Sequence, residues 1–205
     1  MFDVKKEAAA LSAELETIYK DLHRHPEIGY DEHRTSGIIA DYLCACGMEV
    51  QTGIAITGVV GTLDSGRPGK TLLIRADMDC LQVEEMTACD YRSENPGKMH
   101  ACGHDMHAAM LLGAARLLKA HQSELKGTVK LVFQPDEEGF TGAKAMLKAG
   151  VLEAPKPQAA MALHVNSGTP SGLVLCGKGT FMAGCTLFRI TVKGVGCHGA
   201  MPETG

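Results

Sequence analysis

The sequence predicts an α/β protein, with a mixed, largely parallel sheet flanked by helices, on three observations. Short apolar runs at 59–63, 71–75, 128–134 and 159–165 read as buried strands. Segments of helical periodicity lie between or before them, so strands alternate with helices, the pattern that gives a sheet covered on both faces. After Gly179 the period drops to two, with Thr186, Phe188, Ile190 and Val192 alternating with other residues. That pattern predicts the first strand of a separate, half-exposed sheet.

Each element has a local reason. Asp3 is placed to cap a first helix carrying Leu11, Leu15, Ile18 and Leu22 on one face, with Pro26 ending it. A second helix is expected from 31 to 46, turning Ile38, Ile39, Tyr42 and Leu43 inward, with Gly47 just past its end. Residues 64–69 (DSGRPG) form a turn between two strands. After a long loop, an Ala-, Leu- and Met-rich helix is expected from 105 to 122, broken by Gly127 before the strand 128–134. A short helix at 142–149 then leads through Pro155 and Pro157 to the last strand of this part.

Composition narrows the function classes. The chain has 205 residues, 45% hydrophobic and 21% charged, as a soluble globular protein has. A net charge of −4 without a block of like charge argues against a nucleic-acid partner or an anionic membrane surface. No apolar run reaches membrane-span length, and the N-terminus has no apolar signal segment, so a cytoplasmic location is expected. Eight scattered cysteines without a CxxC pair suit a reducing compartment and argue against a zinc knuckle or thioredoxin-type site.

The polar chemistry gathers at strand ends. The run 71–75 leads into Arg75-Ala-Asp77-Met-Asp79, the run 128–134 into Asp136-Glu137-Glu138, and the run from 159 into His164. In open α/β sheets the functional crevice lies at the carboxyl ends of strands. A fourth cluster, His100-Ala-Cys102-Gly-His104-Asp105-Met-His107, stands where a helix begins. Thiolate, imidazole and carboxylate donors suit zinc, manganese, cobalt or nickel. Taken singly, each feature has a blander reading: a structural cysteine, a solvated Glu pair, a core histidine. A cysteine hydrolase pairing Cys102 with His104 is disfavoured, since two residues separated by one glycine seldom align as nucleophile and base.

The segments HRHPEIGYDEHRTS (23–36), RADMDCL (75–81), GKMHACGHDMHAAMLLGAA (97–115), LVFQPDEEG (131–139), ALHV (162–165) and GVGCHGAMP (194–202) together resemble the aminoacylase-type metallopeptidases. The likeness is to their amidohydrolase branch, which includes hippurate hydrolase, N-acyl-amino-acid hydrolases and auxin-conjugate hydrolases. The resemblance implies a zinc-peptidase-like catalytic domain over residues 1–180 and the start of an α+β lid or dimerisation domain over 181–205. It implies two divalent ions per site, zinc or manganese foremost, with Cys102 (the bridging ligand), His104, Glu138 and His164 as ligands. Glu137 matches the general base, Asp79 the carboxylate that orients a ligand imidazole, and His198 the lid histidine that stabilises the oxyanion, reaching across a dimer in related enzymes. His107 and Asp105 take supporting roles.

The implied reaction is hydrolysis of the amide of an N-acyl amino acid, hippurate-like, to a carboxylic acid and an amino acid. Intact family members are longer, form homodimers through the lid, and carry a further ligand histidine near the C-terminus. The chain therefore resembles the N-terminal part of such an enzyme, and the alternative expectation is a metal-binding fragment without turnover. Cys80-Leu-Gln and Cys197 depart from the Ala-Leu-Pro and Gly usual in relatives, at positions bearing on substrate contacts.

Overall fold

The computed structural model describes residues 3–205. The chain divides into two compact units, one ending at Asn166 and the other spanning Ser167–Gly205.

The first unit opens with α1 (Val4–Ala10) and α2 (Ser12–Arg24). Asp3 caps α1 through its side chain, which accepts from the Lys6 N–H. The single expected helix is thus two: at Leu11 the N–H turns to Ala8 O, breaking the α-helical ladder among residues that are all compatible with helix. Helix α3 (His33–Ala45) buries Ile39 and Leu43, and Gly47 just beyond it takes a φ of +70°. β1 (Glu49–Ile54), β2 (Gly58–Asp64) and β3 (Thr71–Asp77) follow. β1 had no counterpart among the sequence expectations, because its side chains are mostly exposed and show no apolar alternation. After the long 78–103 loop come α4 (His104–Ala120), β4 (Thr128–Gln134), α5 (Gly142–Lys148) and β5 (Ala159–Ala162).

These strands form one mixed sheet of order β1-β2-β4-β3-β5. β2 runs antiparallel to β1 and β4, whereas β3 runs parallel to both β4 and β5. The carboxyl ends of β3, β4 and β5 therefore share one rim. Side-chain alternation sorts the strands between two cores. Val59, Leu63, Ala76, Leu131 and Phe133 pack with Leu22, Ile39, Leu43 and Leu112 from the helices on one face. Val60, Leu73 and Val132 pack with Met146 of α5 and Val151 on the other. Full burial of each large apolar side chain stabilises the fold by roughly 1.5–3 kcal/mol. β5 is an edge strand, and it ends at Ala162 rather than Val165 because the Val165 N–H turns to His107.

The Ser167–Gly205 unit carries one described regular element, the 3-10 turn Pro202–Thr204. The strand expected over 186–192 is not formed: Phe188, Ile190 and Val192 are exposed, and the segment has no ladder partner among the described residues. Alternation marks a strand only where another strand supplies its hydrogen bonds. No helix among the described residues is long and apolar enough to cross a membrane.

Candidate metal centre

The rim is built from the ends of β3, β4 and β5 and the first turn of α4. Asp77 and Asp79, two apart at the end of β3, face His104 and His107, three apart on α4, so the strand and helix periods bring like partners together. Gly103 precedes the helix with φ +86°, and a Cβ there would come 2.4 Å from Val165 Cγ2. Only glycine fits that tight entry.

His104 is fully buried. Its Nδ1 donates to Asp79 through both the carbonyl (2.9 Å) and Oδ1 (3.1 Å). Nε2 is thereby left with a lone pair, and that buried atom has no hydrogen-bond partner; neither has Glu138 Oε1. Around Nε2 stand Asp77 Oδ2 at 3.6 Å, Glu138 Oε1 at 3.8 Å and Glu137 Oε2 at 3.9 Å. On the other side, Cys102 Sγ is 3.4 Å from His164 Nε2, whose ring is fixed by Nδ1 donating to the Val165 carbonyl. His104 belongs at once to a Cys102–His104–His164 group and a His104–Glu137–Glu138 group, the donor atoms of each lying within 4.8 Å of one another. Orphaned buried acceptors cost about 1–3 kcal/mol each when nothing pairs them. A cation would pair both, and the thiol, imidazole and carboxylate donors suit a borderline divalent ion.

The electrostatics agree. Burial and the neighbouring Glu138, Glu137 and Asp77 push the Cys102 thiol up to about 12. Such a thiol is a poor nucleophile on its own. Burial works against the charged form of His104, but Asp79 and Asp77 outweigh it and raise its pKa. Burial lifts the Glu137 carboxyl above its ordinary value, with Asp77 and Glu138 adding and His104 opposing. Asp77 goes the other way: against burial, His107, His104 and Arg75 hold it down at about 2. Of the two glutamates, Glu137 is the more open, at 37% side-chain exposure against 22% for Glu138.

Several contacts hold these groups in place. Asp79 Oδ2 accepts the Glu138 N–H, so one carboxylate fixes both the helix start and the β4 loop. Buried Glu32 accepts the Asp136 N–H at 3.0 Å and the Thr57 hydroxyl at 2.6 Å. Asp136 itself sits at φ +48°, where a Cβ on Gly29 or Gly139 would come 2.0 or 2.2 Å from its Oδ1. Asp105 is not a rim group: it turns away, its Oδ1 accepting the Met106 N–H and its Oδ2 facing His23. His107 has both ring nitrogens engaged, by Asp77 at 2.5 Å and by the Val165 N–H at 3.0 Å.

Of the residues named from the sequence, Asp79, Cys102, His104, Glu137, Glu138 and His164 gather at this rim. His198 lies in the Ser167–Gly205 unit, an exposed side chain whose Nδ1 accepts from the Ala200 N–H. The sequence reading placed Arg75 and Asp77 in a strand-end cluster without giving either a role, and it did not single out Glu32. The first two stand in the quoted RADMD segment, and Glu32 in the 23–36 motif, but nothing local separates their roles. Beside the rim a cleft of about 280 Å³ is lined by Ile28, Gly29, Cys80, Gln82, Glu138 and Gly139 among others.

Comparison with known proteins places the arrangement in a family. Residues 73–198 match the model of peptidase family M20/M25/M40. IAA-amino acid hydrolase ILR1-like 5 of Arabidopsis thaliana is 46% identical over 91% of this chain and 42% of its own length. Thermostable carboxypeptidase 1 of Saccharolobus solfataricus is 43% identical, over 91% of this chain and 48% of its own. The crystal structure of the Bacillus subtilis YXEP protein, described as a dinuclear metal-binding peptidase of the M20 family, aligns with a TM-score of 0.74 at 36% identity, covering 82% of this chain and 45% of that one. The chain thus spans about half the length of the relatives it matches. With a family match over most of the rim and the full set of strand-end donors in place, the chain belongs to peptidase family M20/M25/M40.

Proposed function

We propose that this chain carries the metal-binding half of a divalent-metal-dependent amidohydrolase acting on N-acyl amino acids. The observation that carries the reading is the convergence of two buried, unpartnered acceptors, His104 Nε2 and Glu138 Oε1, with a cysteine and a second imidazole. Cys102, His104, Glu138 and His164 would hold two divalent ions, zinc or manganese. The YXEP protein, dinuclear by its description, supports the count. A divalent ion in such a site supplies Lewis acidity toward an amide carbonyl and toward water.

The chain's own residues do the rest. Asp79 holds the His104 tautomer and the Glu138 backbone. Glu137, the more open glutamate, accepts a proton from the attacking water at Oε2 and returns it to the leaving amine, a role its raised pKa suits. Residues 1–180 act as the catalytic domain and 181–205 begin a lid or dimerisation domain, from which His198 would supply an oxyanion donor across a dimer. The relative named for IAA-amino acids supports an acyl group that carries an aromatic ring, and hippurate, an N-benzoyl amino acid, is a simple probe of that class. Eight free cysteines fit a cytoplasmic enzyme.

The test is hydrolysis of hippurate and indole-3-acetyl-amino acids with added Mn or Zn, and again with chelator. Chelator-sensitive turnover is expected, and Glu137→Gln should lower it by about 10²–10⁴-fold with bound metal unchanged. Stoichiometric metal without turnover of any substrate by folded protein would overturn the hydrolase reading for this chain and leave metal binding alone.

A further inference from the structure

Away from the rim, the long 78–103 loop folds back on α2 and buries a second set of donors around His23. His23 Nδ1 is 2.6 Å from Asp105 Oδ2, and its Nε2 is 3.3 Å from Glu85 Oε1. Cys89 Sγ stands 3.5 Å from the same Glu85 oxygen. His23, Glu85 and Asp105 are buried, and Cys89 is half-buried at the mouth. The rings of Tyr19 and Tyr91 wall the imidazole at 5.9 and 5.3 Å between centroids.

We propose that His23 Nε2, Glu85 Oε1 and Cys89 Sγ form a second site for a thiophilic divalent cation, zinc or cobalt by chemical class. This site is separate from the rim and does not depend on the function proposed there. Three observations carry it. First, Asp105 takes the Nδ1–H, so the Nε2 lone pair is turned toward the other donors; a carboxylate behind the imidazole is how ligand histidines are generally oriented. Second, the spacing fits. In a zinc tetrahedron with N and O at about 2.0 Å and S at about 2.3 Å, the N···O edge is about 3.3 Å and the S···O edge about 3.5 Å. The two measured distances are 3.3 and 3.5 Å, and all three donors lie within 4.8 Å of one another.

Third, one oxygen is overcrowded. Glu85 Oε1 meets the Thr87 hydroxyl, His23 Nε2 and Cys89 Sγ together, while Oε2 accepts the Ser93 N–H. A carboxylate oxygen offers two lone pairs, one fewer than the groups approaching it. A cation among the donors resolves the excess, because His23 and Cys89 would then bind the ion rather than compete for the oxygen. The consequence is structural. The loop that carries Cys102 would be stapled to α2, together with the Cys80–Glu27 and Glu94–Arg24 backbone hydrogen bonds.

The rival is a proton, an imidazolium held between Asp105 and Glu85. Cobalt(II) titration of the metal-free chain carrying Cys102→Ser, which takes the thiol out of the rim, separates the two. A near-ultraviolet thiolate-to-cobalt absorption saturating at one ion per chain is expected. Cys89→Ser in that background should abolish it, and Glu85→Gln should weaken cobalt affinity at least tenfold. An absorption that persists unchanged in Cys89→Ser, or none at all from folded protein, overturns the site and leaves the proton network. Should Glu85→Gln fail to fold, Cys89→Ser alone decides, since its side chain is half-buried and its loss leaves the His23–Asp105 pair intact.

Discussion

His104 and His107 stand three residues apart on α4, both buried, their rings stacked 5.4 Å apart. Each gives its Nδ1 proton to an aspartate at the end of β3. They differ at the far nitrogen. His107 Nε2 accepts the Val165 N–H, whereas His104 Nε2 has no partner. Two imidazoles of one motif are therefore physically unlike: His107 is spent on the fold, and His104 is held ready for a cation. Membership of a motif says which residues come near; the remaining lone pair says which one can bind.

The sharpest way to break that contrast is to remove each ring. His104→Ala should weaken metal binding by more than the roughly 10–100-fold typical of losing an outer partner. His107→Ala should largely keep the metal but destabilise the fold by about 3 kcal/mol, because it leaves Asp77 and the Val165 N–H short of a buried partner. Metal titration and urea unfolding on the two variants check both halves, and equal effects on metal affinity would erase the distinction. Asp79→Ala is expected to come next, lowering metal affinity by about 10–100-fold through loss of the His104 tautomer and of the acceptor for the Glu138 N–H, read in the same titration.

The smallest effect concerns a third imidazole, just past the other end of α4. His121 lies 2.8 Å from both Glu124 and Glu7, and these carboxylates raise its pKa. A raised pKa favours the folded state while the ring is charged. The contribution is therefore full below about 6.5 and fades as pH rises through the raised value. The gap in urea midpoint between the natural chain and His121→Ala should be widest near pH 6 and narrow toward pH 8, and added salt should shrink it.

Much of this was legible in the sequence for a physical reason. β3 and β4 are runs of apolar residues followed abruptly by acids, so strand and functional rim are written side by side. Helix α3 announces itself by the spacing of Ile39 and Leu43 and by Gly47. β1 was hidden because an edge strand with exposed side chains needs no apolar period. The alternation at 186–192 pointed to a strand that this unit does not pair. The His23 cluster was invisible because its members come from positions 23, 85, 89 and 105, and only folding of the loop brings them together. Glu32 was missed for the same reason: its partner is a backbone N–H more than a hundred residues away.

Gly29 and Gly139 both press against Asp136, one from the far side of the sequence and one from its own loop. In terms of inherited variation, this makes Gly29 a remote part of the rim. A change as mild as Gly29→Ala, at a position with no side chain of its own, would shift the turn that aims Glu137 and Glu138. Carriers would show the same lesion as carriers of a change at the glutamates themselves, and a second change that shortens Asp136 would be the natural suppressor.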